Sequence, residues 1–134
     1  MKNLIYEIIT TAGVIDAAGS RILKPFGLTP MTFNILNLLS DGPLSQREIS
    51  DQVIVAASSI TFQVRQLQKK GLVQRKRSDQ RTWRVSLTTL GVEKHQLAAN
   101  EMKQIIDQIR LQPDLIASTT GALKETQKQI QQLV

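Results

Sequence analysis

Cysteine is absent from the 134 residues. That excludes disulfides, thiol nucleophiles, cysteine redox sensing and thiolate metal sites together. Histidine occurs once, at His95, and the carboxylates do not cluster. No nucleophile–base pair and no ordinary transition-metal site can be built from such a set. The expectation is a protein with no catalytic residues, no cofactor and no metal. Aromatics are few: Tyr6, Phe26, Phe33, Phe62 and Trp83. No apolar run approaches the ~18 residues of a membrane span, and the N-terminus lacks a charged-then-apolar leader pattern. A soluble cytoplasmic protein without a membrane partner is expected. No repeat or low-complexity segment interrupts the chain, and its length is that of one domain.

What the chain does have is positive charge, and it is concentrated. Lys and Arg number 17 against 11 Asp and Glu, for a net charge of +6. Residues 65–84 hold eight of those cations (Arg65, Lys69, Lys70, Arg75, Lys76, Arg77, Arg81 and Arg84) and one acid, Asp79. This segment is therefore more positive than the whole chain. A localised basic patch is the footprint of a polyphosphate partner. Solubility alone is served equally well by dispersed charge.

The pattern around that patch is specific. Ile60, Val64 and Leu67 recur at helical spacing within residues 56–70, and Gly71 stops the helix after two lysines. Residues 72–77 and 82–87 read as two strands around the polar tip Ser78-Asp79-Gln80-Arg81. Trp83, Val85 and Leu87 alternate with polar residues and form the half-buried face of the second strand. Upstream, residues 3–24 read as an amphipathic helix ended by Pro25 and Gly27. Thr29-Pro30 opens a second helix buried through Phe33, Leu36 and Leu39. Ser45 and Glu48 form a capping box for a third helix over 46–52, buried through Ile49 and Val53. The turn at Ile54-Val55-Ala56 then joins two short helices at helix-turn-helix spacing, although Ala56 is a poor N-cap. Downstream, a long helix is expected from about Thr89 to Leu111. After a break at Pro113-Asp114, a last helix over 114–134 carries Ile116, Thr119, Leu123, Thr126, Ile130 and Leu133 as a coiled-coil-like seam. The fold class is thus mainly α with a small antiparallel β-wing: a winged helix-turn-helix flanked by terminal helices. Surplus apolar stripes on those helices suit dimerisation. A cap folded back within one monomer is the alternative.

The runs Ile49-Ser50-Asp51-Gln52-Val53, Ser58-Ser59-Ile60-Thr61, Gln66 to Val73, Asp79-Gln80-Arg81 and Val85-Ser86-Leu87-Thr88 resemble, in order and spacing, the multiple-antibiotic-resistance regulator (MarR) family. The most specific part is the Asp-x-Arg wing tip followed by the Leu-Thr that opens a long helix. The resemblance spans nearly the whole chain. It implies a single domain over 1–134, with a DNA-binding lobe at 29–88 and a dimerisation lobe from 3–24 and 89–134.

The function so implied is a homodimeric regulator of transcription, by family default a repressor, bound to a palindromic double-stranded operator. Its recognition helix 56–70 would lie in the major groove and its wing 72–87 at the minor groove. Ser58, Ser59, Thr61, Phe62, Arg65, Lys69, Arg77, Asp79, Gln80, Arg81 and Arg84 are the candidate DNA-binding residues. Asp79 would hold Arg81 for a narrow minor groove, or the two form a surface ion pair that shapes the turn. Phe62 would touch a thymine methyl, or fold back against the wing or the third helix. Leu4, Ile8, Ile15, Ile116, Leu123 and Ile130 are the candidate dimerisation residues. The chain departs from the family pattern at Ala57 and Phe62, commonly basic, and at Ile54, commonly glycine. The family also implies a small aromatic effector, with Tyr6, Arg21, Phe26 and His95 as candidate lining. His95 reads better as a helix-surface residue. The rival functions are a winged-helix protein–protein adaptor or anti-regulator without DNA binding, and a nucleic-acid binder without sequence preference.

Overall fold

The computed structural model describes residues 3–53, 56–78 and 81–134. The order of elements is α1 (Leu4–Leu23), a 3₁₀ turn (Lys24–Phe26), α2 (Pro30–Leu39), α3 (Gln46–Val53) and α4 (Ala57–Lys69). Then come β1 (Val73–Arg77), β2 (Trp83–Leu87), α5 (Thr89–Ile106) and α6 (Pro113–Leu133). The mainly helical architecture with a two-stranded antiparallel wing is the one expected.

Local chemistry explains the boundaries. Asn3 caps α1 by accepting the Tyr6 amide at 3.1 Å. At its far end Gly27 takes a left-handed φ of 68° that a side chain would resist. The Thr29 hydroxyl accepts the Thr32 amide at 3.2 Å while Thr32 Oγ1 accepts the Thr29 amide at 2.8 Å, a reciprocal box around Pro30. Ser45 and Glu48 repeat the device for α3, with the Glu48 amide donating to Ser45 Oγ at 3.1 Å. The amide of Ser45 returns to Glu48 Oε1 at 3.4 Å.

The core belongs to the winged unit. Ile35, Leu36, Ile49, Ile60, Val64, Leu67, Leu72 and Val85 are all buried. From α1 only Gly19 and Leu23 join them, from α5 only Gly91 and Ala98, and from α6 none. The α4 stripe of Ile60, Val64 and Leu67 is as expected.

Several expectations need correction. On α2 the buried set is Thr32, Ile35, Leu36 and Leu39, so Phe33 is at the edge of the stripe and only half-buried. On β2 only Val85 is buried, while Trp83 is 49 % exposed, because the hairpin projects beyond the helices after its first pairs. Leu44, just after α2 and its turn, carries no periodic signal in the sequence. It bridges Val85 with two hydrogen bonds of 3.0 and 2.7 Å, and so extends the wing on its inner edge. α5 stops at Ile106, not Leu111; residues after it close with turn bonds such as Ile109 N–H to Ile106 O at 2.9 Å. Gln112 is then extended (ψ 141°), as a residue before proline prefers.

The chain divides into two compact units, Met1–Lys103 and Gln104–Val134. The first holds the winged helix and its core. The second is dominated by α6, no residue of which is buried. No helix among the described residues is long and apolar enough to cross a membrane.

Candidate nucleic-acid interface

The helix-turn-helix pair is fixed from both sides of its joint. α3 and α4 pack together, and Ile49 of the one and Ile60 of the other are both buried in the core. The Thr61 hydroxyl reaches Gln46 Oε1 at 3.0 Å and its own Ala57 carbonyl at 3.1 Å. Thr61, a candidate DNA contact, therefore faces α3 and helps hold the two helices in register. The turn residues Ile54 and Val55 lie outside the described residues. Ala56 enters α4 in an extended conformation and supplies no side-chain cap. The first amides of α4 are thus left to water or to an anion.

On the outward side of α4, Ser58, Phe62, Arg65 and Lys69 are exposed, and Ser59 is half-buried. Phe62 is 59 % exposed. The side chain projects outward instead of folding back against the wing or α3. An uncovered phenyl ring on the outer face of a short helix costs solvation free energy unless something meets it.

The wing presents two faces, because side chains alternate along a strand. The register pairs Gln74 with Ser86, Arg75 with Val85, Lys76 with Arg84 and Arg77 with Trp83. On one face Arg84 Nη1 reaches Glu48 Oε1 at 3.4 Å and the Pro43 carbonyl at 3.5 Å. The acidic residue of the α3 capping box thus also holds the wing. This half-exposed ion pair orients more than it stabilises. Lys76, Arg77, Ser78, Arg84 and Ser86 line a shallow basic hollow beside Pro43. On the other face the guanidinium carbons of Arg75 and Arg77 lie 5.2 and 5.8 Å from the Trp83 ring centroid.

At the wing tip the Arg81 amide donates to the Ser78 carbonyl at 3.2 Å, and the Ser78 amide donates to the Thr82 carbonyl at 2.8 Å. Arg81 is exposed and has a φ of 66°, the one non-glycine residue with positive φ among those described. Its companions Asp79 and Gln80 lie outside the described residues. Arg65, Lys69, Arg75, Arg77 and Arg81 are all exposed on α4 or the wing. The clustered charge of residues 65–84 is therefore displayed on one structural unit.

The candidate dimerisation residues are uncovered in the single chain. Leu4, Ile15, Ile116, Leu123 and Ile130 are exposed, and Ile8 is half-buried.

An open, mainly apolar groove of about 340 Å³ lies between α1 and α2, lined by Ala12, Ile15, Asp16, Gly19, Phe33, Asn34 and, from α5, Met102, among others. Tyr6, Arg21, Phe26 and His95, the residues expected to line an effector site, are not in its wall. His95 is also not the plain surface residue expected. Its Nε2 is 2.8 Å from Asn37 Oδ1, and its ring stacks on Phe33 with centroids 5.6 Å apart. Desolvation there lowers the imidazole pKa below its ordinary 6.5. Among the described residues, no group of three or more metal-ligating side chains comes together.

Comparison with known proteins agrees with this geometry. The model of the MarR family matches residues 26–81. Over 125 residues the chain is 26 % identical to the uncharacterized HTH-type transcriptional regulator YwoH of Bacillus subtilis (strain 168), covering 92 % of this chain and 88 % of that protein. The MarR family transcriptional regulator Sco5413 of Streptomyces coelicolor is similar in structure, with a TM-score of 0.83 at 20 % identity, covering 96 % of this chain and 93 % of that one. So is the Mycobacterium tuberculosis MarR family protein Rv2887, solved in complex with p-aminosalicylic acid. Its TM-score is 0.73 at 25 % identity, covering 93 % of this chain and 98 % of that one.

Proposed function

We propose that this chain, whose fold and winged-helix segment are those of the MarR family, is a sequence-specific regulator of transcription that binds double-stranded DNA as a homodimer. The observation that carries the reading is the exposure of Arg65, Lys69, Arg75, Lys76, Arg77 and Arg81 on α4 and the wing, within a segment (residues 65–84) whose formal charge is +7 against −1 for the remainder of the chain. α4 enters the major groove with Ser58, Ser59 and Phe62 towards base edges and phosphates, and with Arg65 within reach of a guanine or a phosphate. Arg81 at the wing tip serves the adjacent minor groove. Thr61 and Arg84, tied to Gln46 and Glu48, fix the angle between α4 and the wing. Repression is the mode we assign, as the default of the family the chain resembles.

The dimer is supported by the apolar side chains that a single chain leaves in water. On α1, Leu4 and Ile15 are 60 % and 63 % exposed, and on α6 Ile116, Leu123, Ile130 and Leu133 are exposed too. Monomeric proteins rarely expose such rows. The groove beside Phe33 supports a small aromatic effector. Its lining brings one carboxylate, Asp16, and no cation, so an aromatic amine or a neutral aromatic suits it better than the acid bound by the mycobacterial relative.

Fluorescence anisotropy of the full chain, against a site-selected duplex and a scrambled one over a salt series, tests the function. One palindromic duplex retained at physiological salt, with half-sites a helical turn apart, is the expected result. Equal binding to both duplexes, lost together as salt rises, would mean an architectural binder. The exposure of Phe62, on a face where charge is more useful to a DNA binder, favours a second reading, a protein–protein adaptor. Indifference to any duplex at low salt would favour that reading instead.

A further inference from the structure

Trp83 stands at a strand position that the core does not use. It is half exposed, and its ring contacts are two like charges, Arg77 directly across the hairpin and Arg75 one diagonal step away. Both guanidinium groups lie within the range of a cation–π interaction. For stability alone the arrangement is a poor choice. Two arginines spaced i, i+2 on one strand face repel each other, and a β-branched residue at position 83 would pair as well.

The opposite face of the same hairpin shows the difference. There Arg84 is held by Glu48, and the carboxylate that orders it also cancels its charge. An indole face orders a guanidinium without cancelling its charge and leaves the N–H edges turned outward. Residues i and i+2 of a strand are separated by about 6.6 Å, close to the spacing of successive phosphates along a nucleic-acid strand.

We propose that Trp83 is a positioning residue that holds Arg75 and Arg77 as a preordered pair of cations for neighbouring phosphates of the DNA strand lying along the wing. The proposal rests on the DNA-binding reading above and extends it. The wing is then a two-part device: Arg81 serves the tip, and the Arg75–Trp83–Arg77 cluster serves the flank. Ordering the two side chains before binding removes part of the entropy that association otherwise costs.

The experiment is a double-mutant cycle on the full chain with the site-selected duplex, comparing W83L, W83F, R75A/R77A and W83L/R75A/R77A. W83L is expected to weaken binding about fivefold, the scale of exposed cation–π pairs. W83F, which keeps a π face, should retain most of the affinity. R75A/R77A should lower the salt slope by about two units, and in that background W83L should have no further effect. If W83L costs as much without the arginines as with them, or nothing in their presence, the proposal is overturned while the DNA-binding function stands. A chain that binds no duplex overturns both. A measurement without DNA is independent of that function, because Trp83 is the only tryptophan in the sequence. Acrylamide quenching of its emission should rise in R75A/R77A, and unchanged quenching would show that the arginines do not cover the ring.

Discussion

Gly91 and Leu72 approach each other more closely than any side chain would permit: a Cβ at position 91 would lie 1.9 Å from the Leu72 carbonyl oxygen. Around this contact Thr88 ties three segments together. Its hydroxyl donates to the Gly71 carbonyl at 2.6 Å and accepts the Gly91 amide at 3.0 Å, and its own amide donates to the Leu72 carbonyl at 3.1 Å. The end of α4, the exit of β2 and the start of α5 are thereby fixed at one point. The angle of the wing to α4 depends on it.

Gly91→Ala is accordingly expected to destabilise the chain by about 2–3 kcal/mol, the cost of overpacking against backbone that cannot move aside. Thr88→Val, which keeps the shape but loses the cap, should cost about 1–2 kcal/mol, and Thr88→Ser should recover most of it. Urea denaturation midpoints measure both. A Gly91→Ala protein as stable as the parent would show that α5 can move away from Leu72.

At the wing tip, backbone and side chain can be separated. Arg81 is in the left-handed region, where a non-glycine residue costs about 1–2 kcal/mol. Arg81→Gly should therefore be more stable than Arg81→Ala by about 1 kcal/mol. Both should lose affinity and about one unit of salt slope. Equal stability of the two variants would mean that the tip relaxes once the side chain is removed.

His95 gives the fold a pH dependence whose sign follows from burial. Desolvation lowers its pKa in the folded chain, so the unfolded chain binds the proton first as pH falls. Stability should be full above about 6.5, decline as pH drops through that value, and level off below the lowered folded pKa. His95→Gln, with an amide that can still meet Asn37, should flatten this part of the profile. Thermal melts between pH 5 and 8 show whether it does.

The winged unit was legible in the sequence because its signals are local and periodic. Ile60, Val64 and Leu67 mark the buried stripe of α4, Ser45 and Glu48 mark a cap, and the two strand runs flank a polar tip. What escaped depends on partners distant in the chain or on where an element leaves the core. The bridge at Leu44 is a single residue pair and has no period. His95 meets Asn37 across 58 positions. Alternation at Trp83 shows which face a side chain takes, but not whether anything covers that face. The last turn of α5 ends with no proline or glycine to announce it.

Phe62 offers a direct test of the role proposed for α4. Because the ring is outside the core, Phe62→Ala should leave stability within about 0.5 kcal/mol of the parent. Its effect should fall on DNA selection, with loss of preference for thymine at one position of the half-site. Site selection with the variant, compared base by base with the parent, is the measurement. An unchanged preference would remove Phe62 from the reading surface.

The apolar seam of α6 gives the last prediction. Ile116, Leu123 and Ile130 are exposed along a helix in which no residue is buried. Each is already about half covered in the single chain, so covering what remains is worth about 1 kcal/mol per side chain. Replacing all three with serine should therefore dissociate the proposed dimer without harming the winged core, which none of them joins. Sedimentation equilibrium should then give the mass of one chain. Binding to a two-half-site operator should weaken far more than binding to an isolated half-site, because the second half-site is reached only through the partner. If the triple variant sediments as a dimer, the contact between protomers is built elsewhere, and the exposed residues of α1 become the next to replace.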